Sequence, residues 1–446
     1  MGPTDPRPLP VVARRRARRL AYQNGGIWAI GNGLASTMLV LYLAMEYDVP
    51  GVGLSISLIL AAPRIVGLLR LVAPALIGRL ASRKGFCVGG FLLSALVLFG
   101  LPAAVMPGVL PSRRASLTAL VVLWCVYHLL QYLATVALWS WLADLVPQRI
   151  RGRFLGRRER WMVAGQAAGM VVAGLFVWGW RTVHPGLPGW IAYAIPAVSG
   201  AGLMLAALLP LAAMPPGAAR GVPARGVTVR SMLAPLRDRR FLRFLLFGCW
   251  LSFANGISGF AQGVYPGWVL GIGLFAMLQL KTAMRLGQWT LGPTAGRLAD
   301  RLGNRPVMIV SYLIVAQGPL LYFLATPDAP WHARCLVAAA WAAWIAWVGL
   351  NVTLPNLMLK LAPGDRNTPH IATFYAVDGL FHAAAVVLGG LLYDWFRAGS
   401  RFWPAGLGLD YFAAILLLGW LLRLSGVLVL WLVVREPGSR ERPGGS

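Results

Sequence analysis

Long apolar stretches alternate with short polar connections along the whole chain. A membrane-spanning helix needs about 20 predominantly apolar residues, and twelve such stretches are present. They cover residues 25–45, 54–77, 86–106, 117–142, 161–180 and 190–214 in the first half, and 241–265, 272–295, 307–325, 335–359, 370–395 and 411–434 in the second. The pattern therefore predicts an all-α membrane protein with six spanning helices in each half.

Arginine and lysine are concentrated in alternate connections between these stretches. They cluster in the N-terminal segment, after the second, fourth and eighth stretches, in the 215–240 linker and at the C-terminal end. Since loops rich in Lys and Arg stay on the cytoplasmic side, we expect an integral protein of the cytoplasmic (inner) membrane with both termini cytoplasmic. The predicted organisation is a basic tail (1–22), a first six-helix half (23–214), a cytoplasmic linker (215–240), a second six-helix half (241–434) and a C-terminal tail (435–446).

The net charge of +27 would indicate nucleic-acid binding in a soluble protein. Only 12% of the residues are charged, however, and the mean hydropathy is +0.66. We therefore expect the basic loops to face anionic lipid headgroups, with no nucleic-acid partner. The four cysteines are dispersed, and no His, Cys or carboxylate group has the spacing of a metal or catalytic site. The sequence predicts a monomer that is not an enzyme and has no catalytic residue, metal or cofactor.

A short polar sequence occurs at the same place in each half. GRLASRKG begins at Gly78 and GRLADRLGNR begins at Gly296, each after an apolar stretch and about half the 446-residue chain apart. An internal repeat of this kind indicates that one architectural unit is present twice. Its glycines permit tight turns, and its arginines favour the cytoplasmic side.

These two sequences resemble the signature of the major facilitator superfamily of secondary transporters, a G-x-L-a-D-R-x-G-R-[RK] pattern between helices 2 and 3 that is often echoed between helices 8 and 9. The second copy matches at Gly296, Leu298, Asp300, Arg301, Gly303 and Arg305, whereas the first keeps Gly78, Leu80 and Arg83 and has Ser82 where the family usually has Asp. The resemblance implies the superfamily's fold, twelve transmembrane helices in two pseudo-symmetric six-helix halves.

The resemblance also implies a gating role for the motif. In the family, the motif Asp contacts the N-terminus of a helix in the opposite half and helps to hold the cytoplasmic side shut, through the helix dipole. We therefore expect Asp300 to make this contact toward the start of the fifth helix and the uncharged Ser82 to make a weaker one. The predicted gating residues are Gly78, Arg79, Ser82, Arg83, Gly296, Asp300, Arg301, Gly303 and Arg305.

Ionisable residues within the apolar stretches are candidate substrate or coupling residues, because each one costs a few kcal/mol to insert. The cations are Arg64, Arg70, Lys281, Arg285 and Arg423, whereas Asp378 is almost the only acidic residue deep within an apolar stretch. This excess of cations indicates an anionic solute. We expect Arg423 to have a packing role and Arg70 to extend toward the membrane surface.

Lys281 and Arg285 are four residues apart and share one face of their predicted helix. Asp378 is expected at a depth similar to that of Arg285, with His382 one turn beyond it. Two interpretations remain open. In one, Lys281, Arg285 and Arg64 bind solute near the midplane while Asp378 and His382 carry a proton. In the other, an Arg285–Asp378 salt bridge only allows two helices to pack.

Uncharged polar residues and glycines also interrupt the spans. The polar residues are Asn32, His128, Gln131, Gln166, Asn255, Gln262, Asn351 and Asn356. As a set they predict a wet cavity, although any single one can equally form an interhelical hydrogen bond. On the fifth stretch, Gly165, Gly169 and Gly174 suit either a sliding gate or static packing.

The predicted function is secondary active transport by alternating access, as a permease or proton-coupled symporter, for a small polar and anionic solute. Two alternatives remain open. One is an exporter of hydrophobic or drug-like compounds, and the other is a non-transporting sensor or assembly partner with the same fold.

Overall fold

The regular secondary structure of the chain is helical. The computed structural model describes residues 10–47, 49–71, 82–146, 151–216, 234–361, 367–398 and 411–433. In these ranges the helices of the first half are α1 (Val11–Leu34), α2 (Thr37–Met45), α3 (Val52–Ile65), α4 (Arg83–Val105), α5 (Arg113–Leu145), α6 (Arg151–Val183), α7 (Gly189–Ala206) and α8 (Leu208–Ala212). Those of the second half are α9 (Arg239–Trp268), α10 (Leu274–Leu302), α11 (Asn304–Ala316), α12 (Gly318–Phe323), α13 (Pro330–Ala343), α14 (Trp347–Leu361), α15 (Asn367–Arg397) and α16 (Tyr411–Val433).

Eleven helical segments in the described ranges are long and apolar enough to cross a membrane. The remaining predicted stretch, 272–295, forms α10, which is more polar and carries both Lys281 and Arg285. The predicted all-α membrane fold is therefore confirmed, with a helix at the position of each of the twelve stretches.

The first helix begins much earlier than the apolar pattern predicts. It starts at Val11, directly after Pro10, and runs without interruption to Leu34. Alanine, arginine and leucine, all strong helix formers, dominate its first turns. The helix therefore extends beyond the apolar stretch, which marks only the part suited to lipid.

Several spans are built from two helical pieces. Ser36 separates α1 from α2, and its hydroxyl accepts a hydrogen bond from the amide of Leu39 at 3.3 Å, as an N-cap does. The span that begins with α3 contains Pro63 and continues as a 3₁₀-helix over Val66–Leu71. The 3₁₀ turn Trp344–Ala346 joins α13 to α14 in the same way.

The chain divides into two compact units. The first comprises Met1–Thr228 with Gly273–Thr282, and the second comprises Val229–Ile272 with Ala283–Ser446. In the first unit, α6 packs on α1 at backbone distance: a Cβ added to Gly169 would lie 2.2 Å from the carbonyl oxygen of Ile30, and one added to Gly165 would lie 2.6 Å from that of Gly26. These two glycines therefore serve static packing within one unit.

The second unit has an aromatic core between α9 and its neighbours. Phe241, Phe244 and Phe247 of α9 are fully buried in a cluster with Tyr312 of α11 and Phe374 of α15. The rings of Phe244 and Phe374 stack with their centroids 5.0 Å apart. This core fixes the position of α15, which carries Asp378 and His382.

Candidate functional site

Asp378 is a buried acid of the second unit. It lies on α15, is 9% exposed, and accepts a hydrogen bond of 2.5 Å from the hydroxyl of Ser252 on α9. Ser252 itself is also buried. A hydroxyl donor stabilises a carboxylate in a region of low polarity, where an unsatisfied carboxylate would be costly.

Close packing of α9 and α15 surrounds this hydrogen bond. A Cβ on Gly248 would lie 2.6 Å from the ring of Phe374, one on Gly256 would lie 2.6 Å from the carbonyl oxygen of His382, and one on Gly389 would lie 2.6 Å from that of Ile257. Because these glycines lie on both sides of Asp378 along the helix pair, the carboxylate is held in a rigid interface.

The Arg285–Asp378 salt bridge, one of the two interpretations that the sequence left open, is not formed among the described residues. Arg285 is exposed within its unit, and Asp378 points toward Ser252 on α9. The interpretation that paired them used depth along the helices alone. Two residues at one depth meet only if their helices also turn the corresponding faces toward each other, and the face of α15 that carries Asp378 packs on α9.

The other predicted substrate and coupling residues occupy less buried positions. His382 is half-buried, one turn after Asp378 on α15. Lys281 is half-buried on α10, one turn before Arg285. Arg64 is exposed in the last turn of α3, immediately after Pro63 and before the 3₁₀ segment. The side chain of Arg70 lies outside the described residues.

A polar cluster joins three helices of the first unit. The side-chain amide of Asn32 on α1 donates to the hydroxyl of Tyr127 on α5 at 3.1 Å, and the amide of Gln166 on α6 donates to Asn32 Oδ1 at 3.0 Å. Beside it, His128 Nε2 is buried without a hydrogen-bond partner among the described residues. The sequence indicated Asn32, His128 and Gln166 as polar residues but gave no sign of Tyr127, since a tyrosine in an apolar run usually belongs to the core.

Two residues of the second motif copy, Gly303 and Arg305, have structural roles at a helix junction. Gly303 separates α10 from α11 with φ of 90°, a left-handed conformation that favours glycine. Arg305 donates to the carbonyl oxygen of Trp431 and so ties the start of α11 to the end of α16. Gly296 lies inside α10, while Asp300 and Arg301 are exposed near its C-terminal end. The gating contact of Asp300 remains a prediction.

In the first copy, Ser82 caps its own helix. Its hydroxyl accepts a hydrogen bond of 3.0 Å from the amide of Gly85, in the first turn of α4. Arg83 is the first residue of that helix, whereas Gly78 and Arg79 lie outside the described residues. A neighbouring lysine, Lys84, donates to the carbonyl oxygen of Met214 at 2.7 Å and thereby links α4 to the end of the first half.

Two arginines among the described residues are buried: the sequence placed Arg158 in a loop and assigned Arg423 a packing role. Arg158, expected in a basic loop, lies inside α6 because that helix begins at Arg151; it is 5% exposed and its guanidinium lies 5.2 Å from the ring of Trp139. Arg423 on α16 is 3% exposed and donates to Ser258 Oγ at 2.9 Å, Gln262 Oε1 at 3.1 Å and the carbonyl of Val315 at 3.3 Å. The packing role expected for Arg423 agrees with these contacts.

No group of three or more His, Cys, Asp or Glu residues suited to a metal occurs in the described ranges. The described residues form buried polar clusters inside each unit, and cations lie on α3 and α10. Such groups can bind a solute, hold a proton or fix helices.

No protein-family model and no curated protein sequence matches the chain. Solved transporter structures do match it over nearly its whole length. A D-xylose–proton symporter is 15% identical with a TM-score of 0.68, over 95% of this chain and 97% of that one. The nucleoside transporter NupG is 14% identical with a TM-score of 0.64, over 95% and 99%.

A third structure is a bacterial homologue of the human lysosomal transporter Spinster, in an inward-facing and occupied conformation. It is 12% identical with a TM-score of 0.63, over 94% of this chain and 96% of that chain. Identities at this level establish the architecture and leave the substrate undefined. Together with the paired motifs, these similarities identify the chain as a protein with the major facilitator superfamily fold.

Proposed function

We propose that the protein is a secondary active transporter that works by alternating access and carries a small, polar, anionic solute. The observation that carries the proposal is that two arginine side chains, those of Arg64 and Arg285, are exposed and lack partners among the described residues. Arg64 lies in a candidate spanning segment and Arg285 lies on α10; neither side chain has a hydrogen bond or ion pair in the described ranges. A cation at membrane depth must face water or an anionic partner, since its insertion into lipid is unfavourable.

Lys281 supports the same solute class, because it adds a second cation one turn from Arg285 on α10. Two cations at this spacing suit a carboxylate or phosphate group, which arginine binds through its planar fork and lysine as a point charge. Arg423 differs from these cations, because it is buried and donates to neutral acceptors on Ser258 and Gln262. It therefore needs no anionic solute.

The first test is a thermal-shift screen of the purified protein against metabolites grouped by charge. A ligand at 100 times its Kd stabilises the folded state by about 2.7 kcal/mol, so a genuine solute should raise Tm clearly. We expect stabilisation by anionic compounds that is lost in Lys281→Ala and Arg285→Ala and kept in Arg297→Ala, an exposed arginine of the same helix. Stabilisation only by neutral or hydrophobic compounds, equal in all variants, would favour a hydrophobic-compound exporter instead.

We further propose that Asp378, with His382, couples transport to protons. The carboxylate is buried, it has a neutral hydroxyl donor in Ser252, and a titratable imidazole lies one turn away. We expect Asp378→Asn to lose uptake driven by a proton gradient while solute counterflow continues, because asparagine keeps the hydrogen bond to Ser252 and cannot change protonation. Gradient-driven uptake at the normal rate in Asp378→Asn would remove this residue from the coupling mechanism.

A further inference from the structure

A pocket of about 590 Å³ lies between α1 and α6 in the first unit. Small and apolar residues form most of its wall, including Gly26, Ile30, Ala164 and Ala168. The polar part of the lining consists of two arginines, Arg19 and Arg157, together with Gln23 and Tyr22. We call this pocket the α1/α6 groove.

Both arginines lie at the same end of the groove because the two helices run parallel. Tyr22 stacks on Phe154 with ring centroids 5.1 Å apart, near the start of both helices. Further along, a Cβ on Gly33 would lie 2.4 Å from the carbonyl oxygen of Gln166. Later residues of α1 therefore contact later residues of α6, as they do in a parallel helix pair. Because Arg19 and Arg157 both lie early in the lining, the groove has one cationic end and one apolar end.

The length of the groove matches one leaflet of a bilayer. It extends from Arg19 to Ile30 on α1 and from Arg157 to Ala168 on α6. At 1.5 Å per residue, each side is about 16 Å long, close to half of the roughly 30 Å hydrocarbon thickness. At the cationic end, the Arg157 guanidinium lies 5.5 Å from the ring of Tyr22, and Trp161 is 54% exposed, as is usual for a tryptophan at the membrane interface.

The groove faces away from the polar cluster of Asn32, Tyr127 and Gln166. At about 100° per residue, Ile30 and Asn32 are about 200° apart around α1, and Trp161 and Gln166 are about 140° apart around α6. The occupant of the groove thus approaches from a different side than a solute bound at the polar cluster. Its chemistry is defined by the lining: an apolar chain about one leaflet long with an anionic group at one end.

We propose that the α1/α6 groove binds an anionic phospholipid of the surrounding bilayer. The phosphate and headgroup lie by Arg19 and Arg157, and one acyl chain lies along Gly26, Ile30, Ala164 and Ala168. Charge complementarity selects an anionic over a zwitterionic lipid, because these two cations are the charged residues among the described residues that line the groove.

The test is native mass spectrometry of the full-length protein released from micelles with equal amounts of phosphatidylglycerol and phosphatidylcholine of the same acyl chains. We expect the wild type to retain one phosphatidylglycerol preferentially. The Arg19→Gln/Arg157→Gln variant should lower that preference about 25-fold, which corresponds to about 2 kcal/mol for two cations near the surface. The control, Arg15→Gln/Arg16→Gln, removes the same charge from exposed residues of α1 that do not line the groove.

A second variant tests the apolar wall with all charges intact. Ala164 is exposed in the groove, so the bulky side chain of Ala164→Trp should obstruct the acyl-chain path and lower retention of both lipids. Adding glycerol phosphate, which has the charged group without the chains, should not displace the lipid. Displacement by glycerol phosphate, or equal loss of preference in the groove and control double variants, would overturn the proposal.

Discussion

Replacement of Gly169 by alanine should destabilise the protein, because α1 and α6 touch there at backbone distance. The added Cβ would lie 2.2 Å from the carbonyl oxygen of Ile30, 3.0 Å from Gly33 Cα and 3.0 Å from the amide nitrogen of Leu34. All three atoms belong to the backbone, so no side-chain rotation relieves the contact. The helices must separate by about 1 Å to restore an ordinary van der Waals distance.

The expected magnitude follows from two opposing terms. Overpacking of a well-packed interface typically costs about 1–3 kcal/mol, and a backbone contact this short belongs at the upper end. Alanine in a helix gains about 1 kcal/mol over glycine. We therefore expect a net loss of about 2 kcal/mol for Gly169→Ala. Gly156 and Gly179 lie on the same helix with no atom within 4 Å of an added Cβ, so alanine there should be neutral or stabilising by up to about 1 kcal/mol.

The assay is unfolding of the purified protein in mixed micelles, by thermal and by denaturant titration, for Gly169→Ala, Gly156→Ala and Gly179→Ala. Gly33→Ala meets Gln166 on the other side of the same contact at 2.4 Å, so it should behave like Gly169→Ala. The double variant should lose less than the sum, since one separation of the helices relieves both clashes. Equal stability of Gly169→Ala and Gly156→Ala would refute the close packing of these helices.

Three further substitutions test the buried clusters. Arg423→Ala should lower Tm strongly relative to the exposed Arg297→Ala. It removes the donor to Ser258, Gln262 and the Val315 carbonyl, and each acceptor left unpaired costs about 1–3 kcal/mol. Equal Tm values for the two variants would contradict these buried hydrogen bonds. Ser82→Ala should lower the free energy of unfolding by about 1 kcal/mol through loss of the N-cap hydrogen bond. Ser82→Asp should not lower it, because aspartate also caps and interacts favourably with the helix dipole. Equal unfolding of the two variants would refute the cap. Tyr127→Phe should cost about 1 kcal/mol through its bond to Asn32, and an unchanged denaturation curve would argue against that bond.

The positions of the helices could be predicted from the sequence because an apolar run of about 20 residues has few alternatives to a spanning helix. The start of α1 could not, since Val11 to Arg19 is helical by propensity rather than by hydrophobicity. Arg158 was placed in an exposed loop for the same reason, since α6 begins well before its apolar stretch. In the structure, Arg158 lies in α6 and is buried. The 3₁₀ segments after Ile65 and Ala343 follow from tertiary packing and leave no periodic signal.

The partners of the polar residues were harder to predict than the residues themselves. Asp378 stands out because acids at membrane depth are rare. Its partner Ser252 is 126 positions away and has no distinctive pattern around it. Pairing depends on which faces two helices turn toward each other, and a single sequence contains only depth along each helix. For this reason the sequence could place Asp378 within its helix but could not decide whether Arg285 pairs with it.

The central proposal is transport by alternating access, in which Arg64 and Arg285 each face water and become accessible from both sides of the membrane in turn. The most direct measurement uses Arg64→Cys and Arg285→Cys in a protein whose four cysteines have been replaced, labelled with a membrane-impermeant thiol reagent in right-side-out and in inverted vesicles. Leu93→Cys, at an exposed apolar position on α4, serves as the control. Alternating access predicts that the thiols introduced in place of Arg64 and Arg285 are labelled from both sides, and that the control thiol is labelled from neither. Labelling of the two test variants from one side only, or from neither, would contradict the account.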